Sequence, residues 1–109
     1  VYNATGIYPK VYRPPYGSYN SHVLSSISMP AIMWSVDTLD WKTRNAAKTL
    51  ASVKKDTRDG GIILMHDIYQ STVDAVVKIL ERLDAEGYEV VTVTELLGDT
   101  KAGVKYSNK

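Results

Sequence analysis

Three continuous apolar runs in the chain predict buried β-strands. They cover residues 31–36, 61–65 and 88–93, and each is rich in Ile, Val, Leu or Met. Continuous runs, in contrast to alternating ones, are typical of parallel strands whose two faces are both covered. A fourth and weaker strand is predicted over residues 10–13, where the next two residues are prolines and cannot donate to a ladder.

Helical periodicity fills the intervals between these runs. Two apolar stripes recur at the three- and four-residue spacing of one helix face. The first consists of Ala46, Ala47, Leu50 and Val53, and the second of Val73, Val76, Val77, Leu80 and Leu83. Ser71 and Asp74 resemble an N-terminal capping box for the second helix, and Gly87 stands at its expected C-terminal end.

Shorter helices are predicted over residues 21–26 and 94–97, and residues 98–109 are interpreted as a polar tail that frays. The resulting order, β-α-β-α-β-α-β, predicts parallel strands joined by right-handed crossovers. This α/β pattern is compatible with a small open sheet or with an arc of a (β/α) barrel.

Composition and charge exclude several classes of protein. The 109 residues carry 13 Lys and Arg against 12 Asp and Glu, without the clustered basic excess of nucleic-acid-binding proteins. The chain has no cysteine, which excludes disulfides and thiolate metal sites. We find no signal peptide and no apolar run near the roughly 18 residues of a membrane span. The chain opens at Val1 in mid-pattern, so we expect a part of a longer or processed protein.

Polar and aromatic clusters follow three of the predicted strands. They are residues 13–17 (Arg-Pro-Pro-Tyr-Gly), 37–41 (Asp-Thr-Leu-Asp-Trp) and 64–67 (Leu-Met-His-Asp). The carboxyl ends of parallel strands are where α/β proteins carry their chemistry. We therefore expect the three clusters to form one constellation.

Each cluster also has a purely structural interpretation. Residues 13–17 are compatible with a rigid turn, and Asp37 and Asp40 with caps for the helix that follows. Trp34 lies inside a strand pattern, which favours packing, and His66 ends an apolar strand, as a buried core histidine would. His22 lies in a polar stretch and is interpreted as a surface residue.

The chemical interpretation centres on His66. It is the best candidate for a general acid near neutral pH, and a carboxylate such as Asp40 would orient its ring. Arg13 could hold another carboxylate in a fixed fork, and Trp41 offers a flat face on which a sugar ring packs. The sequence contains no Cys and no Gly-x-Ser-x-Gly elbow, so a metal-delivered water fits better than a protein nucleophile. Two histidines on different elements, however, do not make a metal site.

In order and spacing, the three clusters resemble the third, fourth and fifth motifs of the NodB-homology polysaccharide deacetylases, carbohydrate esterase family 4. The resemblance extends over about residues 5–97 and includes the closing run 91–97. Residues 34–41 are most similar to Gram-positive peptidoglycan N-acetylglucosamine deacetylases. The resemblance implies the C-terminal portion of a distorted (β/α) barrel with parallel strands, with a domain over residues 1–97 and a tail over 98–109.

The resemblance also implies catalytic roles for four residues. His66 corresponds to the general acid that protonates the leaving amine, and Asp40 to the carboxylate that tunes this histidine. Arg13 corresponds to the arginine that anchors the catalytic base, and Tyr16 to the residue whose backbone N–H binds the oxyanion. These roles belong to a hydrolase that removes N-acetyl groups from a polysaccharide.

Three apolar residues are implied to bind substrate. Trp41 and Leu64 correspond to walls of the acetyl pocket, and Trp34 to a support for them. The implied substrate is an N-acetylglucosamine polymer, most similar to peptidoglycan, and the implied location is extracellular or at the cell envelope.

Two motifs of the resembled family are missing from the sequence. One is an Asp-Asp pair that supplies the base and a metal ligand, and the other is a pair of histidines at i and i+4. The resemblance therefore implies a divalent metal, zinc in the family, that is bound by residues absent from this chain. The implied partner is the N-terminal half of the same domain, and we expect this chain alone to be inactive.

Other functions stay open at the sequence level. A chitin or xylan deacetylase would carry the same motifs. A non-catalytic carbohydrate-binding module would keep the aromatic groove without turnover, and a structural α/β interaction domain would use the clusters only as turns and caps.

Overall fold

The computed structural model describes residues 2–109, without the side chains of residues 2, 3 and 15. The helices are α1 (Tyr2–Thr5), α2 (Ser21–Ser26), α3 (Asp40–Thr43), α4 (Ala46–Asp56), α5 (Gln70–Ala85) and α6 (Val93–Leu97), with a 3₁₀ turn at Pro15–Gly17. The strands are β1 (Ala31–Ile32), β2 (Val36–Asp37), β3 (Ile63–Leu64) and β4 (Lys105–Tyr106).

The apolar run 31–36 forms two short strands instead of one. β2 pairs in parallel with β3, with Val36 opposite Ile63, whereas β1 pairs in parallel with β4. A parallel bridge between Tyr12 and Ala31 extends the β1 side and marks the weak strand predicted over residues 10–13. The predicted parallel arrangement is therefore confirmed, and the run divides because its two ends bond to different partners.

Helices α4 and α5 pack on the strands and form the core. The buried cluster consists of Val53, Ala75, Ile79 and Leu83, and it is flanked by Ala46, Leu50, Ile63, Met65 and Tyr88. Both helices predicted from the apolar stripes are confirmed, as is the short helix over residues 21–26. These two helices and β3 thus fix the position of the loop that follows β3.

The predicted buried face of α5 is wrong by about one residue. Val73, Val77 and Leu80 are 47, 60 and 46% exposed, whereas Thr72, Ala75, Ile79 and Leu83 are buried. A shift of one residue turns a helix by about 100°. The inward position of Thr72 accompanies a hydrogen bond from its hydroxyl to a buried carboxylate, which a stripe of apolar residues cannot reveal.

Helix caps match the sequence expectations only in part. Gly87 adopts the positive φ of 85° expected after α5, a conformation that glycine tolerates. The capping box predicted from Ser71 and Asp74 does not form, because Tyr69 is the N-cap of α5 and has no side-chain cap hydrogen bond. The side-chain amide of Gln70 donates to Asp74 instead, over 2.8 Å.

The strand predicted over residues 88–93 does not form. Tyr88 packs against the helical core, and α6 already begins at Val93. Thr92 and Glu95 close a capping box at that point, which commits the segment to a helix start. A cavity of about 270 Å³ is lined by residues of this segment and by Ile62 and Ile63, and the segment forms no strand pairing within residues 2–109.

The tail predicted over residues 98–109 contains an ordered strand and does not fray. Within β4, Lys105 lies opposite Ala31 of β1. The Lys109 N–H donates to the Gly60 carbonyl over 2.8 Å. The expectation of a frayed tail fails because backbone pairing holds this segment, and polar side chains give little sign of such pairing.

None of the helices within residues 2–109 has the length and apolar character needed to cross a membrane.

The core predicts a measurable difference between neighbouring positions of α5. Ile79→Ala should lower the free energy of unfolding by about 2–5 kcal/mol, because it leaves a cavity in a closely packed cluster. Leu80→Ala, at an exposed position on the same helix, is the size-matched control and should cost clearly less. Urea denaturation of the 109-residue chain measures both losses, and equal losses would contradict the placement of the buried face.

Candidate active site

The second and third sequence clusters meet at the carboxyl ends of β2 and β3. After β2 the chain turns into α3, which begins with Asp40 and Trp41, and after β3 it reaches His66. The buried Thr38 hydroxyl donates to the Leu64 carbonyl over 2.8 Å and ties the two strand ends together. The pairing register thus places Asp40 and His66 side by side, as the sequence predicts.

The carboxylate of Asp40 accepts more hydrogen bonds than any other polar group of the site, and Asp40 is fully buried. Oδ2 accepts hydrogen bonds from the His66 backbone N–H and the Thr72 hydroxyl, each over 2.6 Å. Oδ1 accepts from the Trp41 backbone N–H over 2.9 Å and contacts His66 Nδ1 over 2.8 Å. The structure therefore rules out a simple capping role, and Asn45 caps α4 instead.

Two opposing effects set the charge of Asp40. Burial alone raises the pKa of this carboxyl group, because a low-dielectric environment disfavours the anion. The hydrogen bonds from Thr72 and from the ring and backbone of His66 lower the pKa, as does the charge of His66. The bonds outweigh burial, so the pKa lies below its ordinary value and Asp40 is an anion at neutral pH.

His66 has one ring nitrogen bound and one open. Nδ1 faces Asp40, while Nε2 forms no hydrogen bond within residues 2–109. The side chain is 38% exposed, so solvent and ligands reach the ring. The ring of Tyr69 contacts the His66 ring edge to face, with centroids 6.1 Å apart. An anion at Nδ1 favours the tautomer with hydrogen on Nδ1, which leaves Nε2 to exchange protons.

Left-handed backbone conformations flank the helix that carries Asp40. Leu39 has a φ of 53° before α3, and Arg44 has a φ of 44° after it. The Leu39 N–H bonds to the side chain of Asp37 over 3.0 Å, which stabilises the first of these bends. Non-glycine residues pay for such conformations with about 1 kcal/mol or more. These bends turn α3 so that Asp40 faces inward while Trp41 remains 47% exposed.

Arg13 lies across the end of β1 and bonds to backbone oxygens. Its Nε donates to the Ile32 carbonyl over 3.1 Å and Nη2 to the Met33 carbonyl over 3.2 Å. The guanidinium carbon lies 5.7 Å from the ring centroid of Trp34. Partial burial lowers the pKa of Arg13. Within residues 2–109 no carboxylate pairs with Arg13, so its implied role as an anchor stays a prediction.

The backbone of Tyr16 is constrained, whereas its phenol ring is not. Its φ of 56° is left-handed, and its side chain is fully exposed. In the described part of the chain the Tyr16 N–H donates no hydrogen bond, although the next amide, Gly17 N–H, donates to the Pro14 carbonyl. The Tyr16 amide is thus free for an external acceptor.

The three residues predicted to bind substrate differ in exposure. Trp41 is 47% exposed beside Asp40, Leu64 is 8% exposed in β3, and Trp34 is half-buried under Arg13. Trp34 also packs closely on Gly17, where an added Cβ would lie 2.7 Å from the ring. Trp41 alone among the three offers a large open face, and Trp34 supports the turn that carries Tyr16.

The structure adds three residues that sequence reasoning missed: Thr72, Tyr69 and Arg44. Thr72 occupies the inward face of α5 beside Asp40, and only its polar type at a core-facing helix position could have signalled it.

His22 is exposed, as predicted. No group of three or more His, Cys, Asp or Glu between residues 2 and 109 could hold a metal ion, so the residues present do not fit one.

Comparisons with known proteins agree on one relationship. No family model matches the chain. The chain is 44% identical over 110 residues to the peptidoglycan-N-acetylglucosamine deacetylase PgdA of Listeria monocytogenes, which covers 100% of this chain and 24% of that protein. It therefore spans about a quarter of this curated relative's length.

Solved structures show the same fold. A T48 deacetylase solved with substrate is 39% identical, with a TM-score of 0.93 over 97% of this chain and 54% of that one. BA3943, a family 4 carbohydrate esterase pseudoenzyme of Bacillus anthracis, is 31% identical, with a TM-score of 0.82 over 96% of this chain and 39% of that one. The likeness confirms the predicted partial (β/α) barrel.

The Thr72–Asp40 bond predicts a pH-dependent loss of stability. Thr72→Val removes a donor from a buried carboxylate and should lower the free energy of unfolding at pH 7 by about 1–3 kcal/mol. Because the Asp40 pKa is lower in the folded than in the unfolded chain, the carboxylate stabilises above the unfolded pKa. The effect of Thr72→Val should therefore shrink as the pH falls through the folded pKa of Asp40.

Thr49→Val is the matched control, because the Thr49 hydroxyl is equally buried but has no hydrogen-bond partner in the described part of the chain. This change should leave the stability unchanged or raise it. Denaturant unfolding at several pH values between 2 and 7 measures both variants. A pH-independent loss in Thr72→Val, or a similar loss in Thr49→Val, would contradict the assignment.

Proposed function

Because the chain belongs to carbohydrate esterase family 4, we propose that its parent protein removes N-acetyl groups from an N-acetylglucosamine polysaccharide, most consistently peptidoglycan. One observation carries this proposal. The buried Asp40 anion contacts His66 Nδ1 over 2.8 Å and leaves Nε2 without a hydrogen bond among the described residues, and the exposed Trp41 directly follows Asp40 in α3. This is the geometry that a general acid at a sugar-binding surface requires.

His66 supplies the proton that the reaction needs at nitrogen. Hydrolysis adds water to the acetyl carbonyl carbon and breaks the C–N bond, and an amine leaves readily only when its nitrogen is protonated. His66 in its charged form donates the Nε2 proton to this nitrogen, while the Nδ1 proton stays on the Asp40 side. Asp40 stabilises the charged ring before the transfer and fixes the ring's orientation throughout.

Tyr16 and Arg13 contribute through the first sequence cluster, residues 13–17. The unbonded Tyr16 N–H is available to the carbonyl oxygen as negative charge develops there. Arg13 holds the carbonyls at the end of β1 and contacts the ring of Trp34, which packs on the turn containing Tyr16. We assign Arg13 the further role of anchoring the base aspartate of the family.

Trp41 and Leu64 form the acetyl pocket in this proposal, with Trp34 as a support. Trp41 presents an open aromatic face to a sugar ring, and the mostly buried Leu64 gives the pocket an apolar floor. Asp40 and Trp41 are adjacent in α3, so the aromatic wall is held at a fixed distance from the carboxylate.

The water-activating metal belongs to another part of the domain. A divalent metal, zinc in our proposal, would supply the activation of the attacking water. Its ligands and the catalytic base are assigned to the part of the domain that this chain does not cover, since the chain spans 54% of the T48 deacetylase. The N-terminal half of the domain is therefore the proposed partner, and the present chain alone is inactive.

The identity of the relatives supports peptidoglycan as the substrate. PgdA of Listeria monocytogenes is named for that polymer, and its match covers the whole of the present chain. We therefore assign the parent protein to the cell envelope or the extracellular side, where peptidoglycan lies.

A non-catalytic carbohydrate-binding role is the second candidate. It is favoured by BA3943, a pseudoenzyme that shares this part of the fold at 31% identity. This candidate predicts affinity for glycan without release of acetate, and it keeps a function for Trp41 but none for the Asp40–His66 pair.

His66→Ala in the whole protein tests the first candidate. Loss of the general acid should reduce acetate release by about 10²- to 10⁴-fold while the bound metal stays unchanged. His22→Ala is the matched control, because this histidine is exposed and lies on α2, outside the site.

Acetate release and metal content by elemental analysis are the two measurements. A parallel loss of metal in His66→Ala would assign His66 to metal binding and overturn its role as the acid. Glycan binding without any acetate from the unmodified protein would support the second candidate.

A further inference from the structure

Beside His66, an arginine and a tyrosine form a stacked pair that the catalytic proposal does not use. The guanidinium carbon of Arg44 lies 4.7 Å from the ring centroid of Tyr69. The same tyrosine ring contacts His66 edge to face. Arg44 therefore contacts Tyr69, which in turn contacts the general acid His66. It lies directly after the helix that carries Asp40 and Trp41.

The backbone and the side chain of Arg44 both make contacts at the end of α3. Its N–H bonds to the Asp40 carbonyl over 2.9 Å, and its φ of 44° is left-handed. Nε approaches the Trp41 carbonyl at 3.4 Å, a weak contact that turns the guanidinium back toward the site. Asn or Gly tolerates this conformation better than arginine, so the cost of the strain suggests that the side chain has a use.

The terminal nitrogens of Arg44 are open. In the part of the chain that the structure describes, Nη1 and Nη2 form no hydrogen bond and no carboxylate pairs with the guanidinium. By contrast, Arg82 pairs with Glu86 over 2.7 Å. Two parallel N–H donors held on an aromatic face match a carboxylate in two-point geometry.

We propose that Arg44, positioned by Tyr69, binds a carboxylate of the substrate next to the scissile acetamido sugar. This inference rests on the proposed deacetylase function and narrows its substrate class to an acidic glycan. Peptidoglycan carries carboxylates on its peptide branches, and on the lactyl group of muramic acid where no peptide is attached, whereas chitin-type oligomers are neutral. Arg44 is therefore a specificity-determining residue, and His66 remains the catalytic acid.

The test compares two substrates with the whole, metal-loaded protein. One is a peptidoglycan strand with free carboxylates, and the other is a neutral N-acetylglucosamine oligomer. Arg44→Gln should lower kcat/KM on the acidic strand by about three- to tenfold, a modest factor because water screens an exposed guanidinium. The loss should lie in KM, and it should diminish at high salt.

Three controls separate recognition from structure. Arg44→Lys keeps the charge without the fork and should recover part of the loss. Arg82→Gln removes an exposed arginine on α5 and should leave kcat/KM unchanged on both substrates. Methyl esterification of the strand's carboxylates should lower the kcat/KM of the unmodified protein to that of Arg44→Gln. It should not lower the kcat/KM of that variant further.

The outcomes also separate this inference from the proposed function. Equal losses of kcat/KM by Arg44→Gln on acidic and neutral substrates would overturn the role of Arg44, as would an absence of any effect of esterification on the unmodified protein. Neither result would contradict the deacetylase proposal. If neither substrate releases acetate, the deacetylase proposal fails. The same comparison made by glycan binding affinity then decides for or against carboxylate recognition by Arg44.

Discussion

A fully buried carboxylate is the constraint on which the rest of the site depends. An uncompensated charge in the interior costs several kcal/mol, so Asp40 requires donors from all sides. It receives them from its own helix, from His66 in the loop that follows β3 and from the inward face of α5. The position of each of these elements is therefore coupled to the others through one anion.

Several irregular features lie around the site. Thr72 lies on the core face of α5 in place of an apolar residue, which turns Val73 and Val77 outward. Among the described residues, Tyr16, Leu39 and Arg44 are the non-glycine positions with positive φ, and each adjoins a sequence cluster or α3. Strain concentrated in this way is typical of functional sites, where the surrounding packing compensates for its cost.

The sequence predicts the fold most reliably where periodicity and side-chain packing agree. Helices α4 and α5 and the parallel pairing are confirmed, because apolar burial determines them directly. The segment 88–93 is apolar but starts a helix, since the capping box at Thr92 outweighs its strand character. Strand β4 escaped prediction because its contacts are mainly backbone hydrogen bonds, which leave no apolar pattern.

The candidate site shows the same division. Motif order and parallel topology predict that Asp40 and His66 lie together near strand ends, and the structure places the two side chains in contact. Thr72, Tyr69 and Arg44 lie on helices or their ends, where position depends on rotation and cap geometry. A one-residue change in rotation removes such residues from a site without altering the sequence pattern, so only the structure identifies them.

The most direct test of the account is the tautomer of His66, measured by ¹⁵N NMR of the histidine rings at a pH where the ring is neutral. The buried Asp40 anion predicts that the hydrogen resides on Nδ1 of His66, leaving Nε2 unprotonated. His22, which has no such partner among the described residues, serves as the internal comparison. Hydrogen on Nε2 of neutral His66 would contradict the central claim that Asp40 orients this ring for proton transfer at Nε2.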